Sequence, residues 1–377
     1  PLSFAQLRLW FLNRLDGGSA YNIPVALRLE GELDVPALSA ALTDVVQRHE
    51  TLRTVFPEHD GTPHQVVLED PRTWPTLTTT IATPDQLQHT LQQAAAHPFD
   101  LTTEPPLRAH LIAQPDHPHQ HHLLLVLHHI AGDGWSTAPL ANDLTTAYTA
   151  RLHHQPPTWE PLPVQYIDYT LWQHELLGDP HDPTSLHHQQ LTHWRHTLTD
   201  LPEQLDLPTD RPRPPTATHH GTTTPHTTTP HTHQQLTDLA RRNNASLFMV
   251  LQAALATLLT RHGAGTDLPI GTPIAGRTDE ALHNLVGMFA NTLVLRTDTS
   301  GNPTFTQLLH RTRETALTAY AHQDIPFERL VEELAPTRTT AHNPLFQTLL
   351  ALDNTPPPLP RLPHLTTTLH PLTTTTA

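Results

Sequence analysis

The sequence predicts an α/β fold in two halves of similar size, and three observations carry that expectation. Strand-length apolar or alternating runs are interleaved with segments whose apolar residues recur at helical spacing. The apolar run Leu123 to Leu127 leads through two glycines into a helix-forming stretch. Near the middle, the cluster Pro156, Pro157, Pro161 and Pro163 cannot continue a helix and reads as a crossing between halves. The 377 residues, 37% of them apolar, suffice for two cores of ordinary size. The division is placed at 165/166, giving residues 1–165 and 166–377.

Taken in order, Phe4 to Leu15 reads as a first helix, followed by an alternating strand at Ile23, Val25, Leu27 and Leu29. Asp34 is a helix N-cap with Pro36 in the first turn, and Leu38, Ala41, Leu42, Val45 and Val46 then repeat at helical spacing. Strands are expected near 52–56, 64–68 and 107–111. After the central strand, Ser136 opens a helix towards Leu152, and helices resume at about 168–177 and 186–198. From Pro202 to Pro230 the chain is dominated by Pro, Thr and His, including Arg211-Pro212-Arg213-Pro214-Pro215, which predicts loop with at most one strand. Ser246 to Arg261 has too broad an apolar face for an exposed helix, and Phe305 to Tyr320 is a further helix. No repeat of solenoid period is visible.

Composition excludes several chemistries. The chain has no cysteine, so disulfides, thiolate metal sites and a Cys acyl-enzyme are ruled out together. No apolar run of about 18 residues and no charged-then-apolar leader occurs, which predicts a cytoplasmic protein with no membrane partner. A formal charge of −15 argues against nucleic acid as a bulk electrostatic partner. Arginine is the only strongly basic residue, and with 32 histidines the pattern suggests GC-rich codon usage, so most surface histidines reflect base composition. His117, His119, His121 and His122 crowd before the central strand, but no carboxylate lies at ligand spacing, and no metal site is expected. Trp10 and Trp172 are read as packed aromatics, and Glu332-Glu333 as a solvated helix face. No phosphate-cradling glycine loop is present.

The chemistry concentrates in His128-His129-Ile130-Ala131-Gly132-Asp133-Gly134-Trp135. Two histidines stand at a strand exit, and Gly132 and Gly134 flank Asp133 where a tight turn needs a permissive backbone. A neutral imidazole, with an unperturbed pKa of ~6.5, can accept a proton near neutrality. Asp133 can hold the loop or tune a ring.

This stretch resembles the HHxxxDG signature of condensation domains from nonribosomal peptide synthetases, relatives of chloramphenicol acetyltransferase. Six further segments resemble that family's motifs in order: 3–12, 48–56, 166–173, 270–277 through 291–296, 322–330 and 343–347. Together they span essentially the whole chain. The resemblance implies two chloramphenicol acetyltransferase-like lobes in a V-shaped pseudodimer, with an active-site tunnel between them. It also implies peptide-bond formation by attack of a carrier-bound aminoacyl amine on an upstream peptidyl or aminoacyl thioester. No cofactor is bound by the chain itself; phosphopantetheine arrives covalently on upstream donor and downstream acceptor peptidyl carrier proteins, and an adenylation domain of the same synthetase is a neighbour.

Because a thioester is already activated, position and proton control are the main needs. On the family's pattern His129 is the active-site histidine, either accepting a proton or orienting the amine. His128 turns away to support the loop. The Gly134 amide donates to the substrate carbonyl, or the glycine only leaves room for a pantetheine arm. Asp133 is structural and faces an arginine, for which Arg53 is the candidate. Trp135, Arg277 and Asn291 border the tunnel behind these groups. Alternatives remain open: epimerisation, which shares HHxxxDG; a dehydrating condensation that reuses His129 as base; a non-catalytic docking module, although such relatives generally carry a degraded His motif; and carrier-independent acyl transfer. The Ile130-Ala131-Gly132 filling and the segment Arg277 to Leu282 resemble condensation domains that accept a D-configured donor.

Overall fold

The first helix starts where the sequence places a reciprocal cap. The Ser3 side chain accepts from Gln6 N, the Gln6 side chain returns to Ser3 N, and Gly17, at φ 56°, ends the helix in the left-handed region. In the computed structural model, which describes residues 1–212, 214, 216, 221–334, 342–353 and 358–372, the chain divides into two compact units. The first holds Pro1–Glu175, Arg277–Phe289 and the described residues of Thr355–Thr376. The second holds the described residues of Leu176–Gly276 and Ala290–Asn354. These bounds differ from the expected division at 165/166. The prolines follow a helix that has already ended at Leu152, where His154 turns left-handed at φ 54°, and the chain beyond them stays in the first unit to Glu175, to which two later segments return.

In the first unit the elements are α1 (Phe4–Asp16), β1 (Asn22–Gly31), α2 (Val35–Arg48), β2 (Leu77–Ile81), α3 (Pro84–Ala95), β3 (Leu107–Gln114), β4 (His117–His128), α4 (Thr137–Leu152) and α5 (Tyr166–Leu177). A five-stranded sheet runs in the order Leu365–Leu369, β1, β4, β3, β2. All neighbours are antiparallel except β2 and β3. Between β1 and β4, Ile23, Val25 and Leu27 lie opposite Leu127, Leu125 and Leu123, so the apolar residues share one face. Capped by Asp34, which accepts from Ala37 N at 2.8 Å, α2 buries Leu38, Ala41, Leu42, Val45 and Val46 and packs beside α4.

The central strand is longer than its apolar run. A two-residue link, Pro115-Asp116, joins it to β3, and the pairing pulls His117 to His122 into β4. In contrast, the strand expected at 52–56 is mostly a 3-10 turn, Glu50–Arg53, followed by a two-residue ladder, Thr54–Val55 with Val66–Val67. The Thr54 hydroxyl donates to Glu50 O and tightens the turn, while Leu52 and Phe56 are fully buried.

The second unit contains α6 (Leu186–Thr197), α7 (Pro230–Arg242), α8 (Leu247–Arg261), β5 (Asp267–Ile274), β6 (Asn291–Asp298), α9 (Phe305–Tyr320) and α10 (Phe327–Leu334). Antiparallel β5 and β6, with Thr348–Leu349 parallel to β5, form its sheet. The stretch read as loop from 202 to 230 has no strand or helix before α7 among its described residues; positions 213, 215 and 217–220 lie outside them. Among the described residues, no single helix is long and apolar enough to cross a membrane.

Candidate active site

At the end of β4 the chain doubles back. His129 N donates to Tyr21 O at 2.8 Å, a 3-10 turn covers His129–Ala131, and a second, Gly134–Ser136, runs directly into α4. The reversal is tight at Gly132, where a Cβ would lie 2.3 Å from Leu127 Cδ2. His128 caps the first turn by accepting from Ile130 N at Nδ1, 3.1 Å away. Only 1% exposed, with its ring edge-on to Phe99 at 5.8 Å, it is held neutral. Burial, and then the neighbouring His129, lower its pKa to about 3. The adjacent imidazole differs. His129 is half-buried, and neither ring nitrogen has a hydrogen-bond partner among the described residues.

Asp133 is the hub of the loop. Its Oδ1 accepts from Ser136 N at 3.0 Å and Ser136 Oγ at 2.9 Å, and its Oδ2 from Arg277 Nη1 at 2.8 Å and Phe289 N at 3.0 Å. The Asp133 and Arg277 side chains are 1% and 5% exposed. Arg277 also reaches Leu285 O, and its guanidinium lies 4.3 Å from the Phe289 ring centre. The arginine facing Asp133 is therefore Arg277, and Arg53 is corrected. Arg53 instead donates to Leu68 O, lies 3.6 Å from Glu50 and 3.7 Å from Glu69, and rests against Trp74.

The first unit thus brings together His128, His129, Asp133, Gly134, Trp135 and Arg277. Gly134 is the first residue of its turn, so its N–H has no partner within the helix, and a Cβ built on it meets nothing within 4 Å. Trp135 is 45% exposed. Asn291 belongs to the second unit, where its Nδ2 donates to Gln323 O and Ile325 O and its Oδ1 accepts from Phe327 N. There it fastens the 323–327 turn to β6. In the histidine-rich half of β4, His119 meets Glu32 at 3.1 Å and His122 packs edge-on against His370. No group of three or more His, Asp or Glu set to hold a metal occurs among the described residues.

Sequence reasoning missed three members of this network. In the sequence Ser136 reads only as a helix opener, although Asp133-x-x-Ser136 has capping-box spacing. At Gly287 a Cβ would fall 2.2 Å from the Tyr166 ring, so the backbone passes where only glycine fits. Tyr166, its hydroxyl raised well above the usual phenol range by burial, donates to Met288 O and accepts from Ser3 Oγ.

The model of the condensation domain family matches residues 1–362. Over 371 residues the chain is 56% identical to a dimodular nonribosomal peptide synthase of Bacillus subtilis (strain 168), covering 98% of this chain and 16% of that protein. It is 49% identical over 389 residues to an isonitrile lipopeptide synthase of Mycobacterium tuberculosis (strain ATCC 25618 / H37Rv), covering 100% and 15%. The chain therefore spans about a sixth of the length of these relatives. Among solved structures, the X-domain from teicoplanin biosynthesis, in its complex with OxyB, superposes with a TM-score of 0.91 at 36% identity, covering 100% of this chain and 81% of that one.

Proposed function

The chain belongs to the condensation-domain family, and from that membership we propose that it forms an amide bond. The amine of a downstream aminoacyl group attacks an upstream peptidyl or aminoacyl thioester, each delivered on the phosphopantetheine arm of a peptidyl carrier protein, with an adenylation domain of the same synthetase as neighbour. The carbonyl carbon gains the C–N bond and loses the C–S bond, the pantetheine sulfur leaves as a thiolate, and the amine gives up one proton. His129 orients the amine and takes that proton; the Gly134 N–H donates to the carbonyl oxygen as negative charge builds there. The open space beside Gly134 suits the approach of an arm.

The observation that carries this reading is the contrast between the two histidines. One is sealed, neutral and used as a cap; the other is half-buried, with Nδ1 shielded from solvent and both ring nitrogens unengaged by the described residues, on the same loop as the uncapped Gly134 N–H. A histidine without a carboxylate partner does not need to activate a protein nucleophile, and a thioester does not require one. Within this function, the donor is read as D-configured: Ile130 and Ala131 are fully buried and Gly132 is pressed onto Leu127, so these residues act by setting the loop's path.

Incubation with two loaded carrier proteins, with the product identified by mass on the downstream carrier, tests the proposal. A product one donor acyl group heavier is expected. An unchanged mass with an inverted α-carbon would indicate epimerisation, and loss of water from the tethered residue would indicate dehydrating condensation. A second reading, a docking module that recruits a partner enzyme, draws on the likeness to the X-domain in its complex with OxyB. Partner binding without product would favour it.

A further inference from the structure

Ser136 lies at a junction that amide-bond formation does not explain by itself. Its hydroxyl has one proton and two lone pairs, and five polar atoms surround it. Asp133 N at 3.2 Å, Gly287 N at 3.2 Å and Arg277 Nη2 at 3.1 Å point donors towards it, while Asp133 Oδ1 at 2.9 Å and Gly287 O at 3.0 Å offer acceptors. The side chain is fully buried, so water does not share these bonds. Asp133 Oδ1 already accepts from Ser136 N, whereas the Gly287 peptide meets the same hydroxyl through both its N–H and its C=O.

The segment so gripped is fixed at successive positions. Leu285 O accepts from Arg277, Gly287 binds Ser136, Met288 O accepts from Tyr166, and Phe289 N donates to Asp133. On the other side, Ser136 closes the turn whose first residue is Gly134. One hydroxyl thus joins the turn bearing the candidate oxyanion donor to a backbone strap 151 residues away in sequence.

We propose that Ser136 is a positioning residue for acyl transfer: its hydroxyl clasps the 285–289 strap to the 133–136 turn and thereby holds the Gly134 N–H in its donating direction. The proposal rests on the amide-forming reading above and adds the group that keeps its geometry. Ser136 touches no reacting atom; it acts through Gly134.

Two measurements separate the clasp from that reading. In the chain without carrier partners, Ser136→Ala raises amide exchange at Gly287 by roughly tenfold, the factor expected for one lost hydrogen bond, and leaves the interior of α4 unchanged. Unaltered exchange at Gly287 overturns the clasp, even if the wild-type chain forms no amide. In turnover with loaded carriers, Ser136→Ala lowers kcat by about 10²-fold with little change in KM for the acceptor. In a Gly134→Pro background the same substitution costs less than about threefold, because the N–H it aims is gone. Equal losses in both backgrounds overturn the positioning role. Should Ser136→Ala fail to fold, Ser136→Cys, which keeps a heavy atom at the γ position and weakens the hydrogen bonds, is read in the same way.

Discussion

Removing the Asp133 carboxylate is expected to destabilise the first unit by about 3–5 kcal/mol, the cost of stripping one partner from a buried ion pair. The magnitude follows from what would be left behind. Asp133→Ala deletes the acceptor for Arg277 Nη1, Phe289 N, Ser136 N and Ser136 Oγ at once. The guanidinium, 5% exposed, then retains only neutral partners among the described residues, Leu285 O, Ser136 Oγ and the Phe289 ring. Arg53→Met provides the contrast. Of the two carboxylates beside Arg53, Glu69 is 85% and Glu50 30% exposed, and Leu68 O keeps a second donor in Trp74 Nε1, so a smaller loss is expected than for Asp133. Urea unfolding followed by tryptophan fluorescence measures both. In a double-mutant cycle, Asp133→Ala should couple to Arg277→Met by up to about 3 kcal/mol and be additive with Arg53→Met within about 0.5 kcal/mol. An Asp133→Ala protein with an unchanged unfolding midpoint, or one coupled to Arg53 and additive with Arg277, would refute this account of the loop.

His129→Ala should slow product formation by roughly 10²- to 10⁴-fold while preserving the fold, and a folded, carrier-competent variant at near wild-type rate would remove His129 from the chemistry. Gly134→Pro removes the N–H at a first-turn position where proline is tolerated, so kcat should fall by about 10²- to 10³-fold; a loss of that size in Gly134→Ala, which keeps the N–H and whose Cβ meets no neighbour within 4 Å, would mean that space rather than the amide matters. His128 is neutral in the fold down to about pH 3 but protonates below about 6.5 when unfolded, so its contribution is intact above pH 6.5 and is lost as the pH falls towards 3. Between pH 7 and 5, His128→Leu should therefore lose about 2 kcal/mol less stability than wild type, and parallel stability curves would contradict the buried neutral ring. Matched carrier-bound donors differing only at the terminal α-carbon test the stereochemical reading: faster transfer of the L-epimer would reverse it, and equal rates would show that residues 130–132 do not set the choice.

What the sequence reveals and conceals here follows the range of the interactions. Elements started by local chemistry were legible: Asp34 with Pro36, the apolar spacing of α2, the span of α8 and the bounds of α9 all depend on residues within a few positions of each other. Edge strands were not. Leu77–Ile81 and Leu365–Leu369 are threonine-rich and mostly exposed, and become strands only because a core strand offers them a ladder. The α7 helix was hidden by its surroundings, since Pro230 reads as more of the Pro/Thr/His stretch unless it is taken as a first-turn proline behind the Thr229 cap.

The functional loop shows the same divide at higher stakes. Its histidines, glycines and aspartate are contiguous and were legible together, but the partner of Asp133 was not. Arg53 sits in a motif-like segment closer in the chain, whereas Arg277 lies 144 residues from Asp133 and reaches it because the 277–289 segment returns to the first unit. Charge type alone cannot rank two arginines. What ranks them is the set of backbone groups each would satisfy: Arg277 arrives with Leu285 O, Gly287 and Phe289 N, every one of which must find a partner once buried; Arg277 itself satisfies Leu285 O, Ser136 satisfies Gly287 and Asp133 satisfies Phe289 N. The ion pair is thus one bond of a larger closure, so neutralising both charges together should restore less stability than replacing an isolated pair would, because the strap's peptide groups would still be without partners.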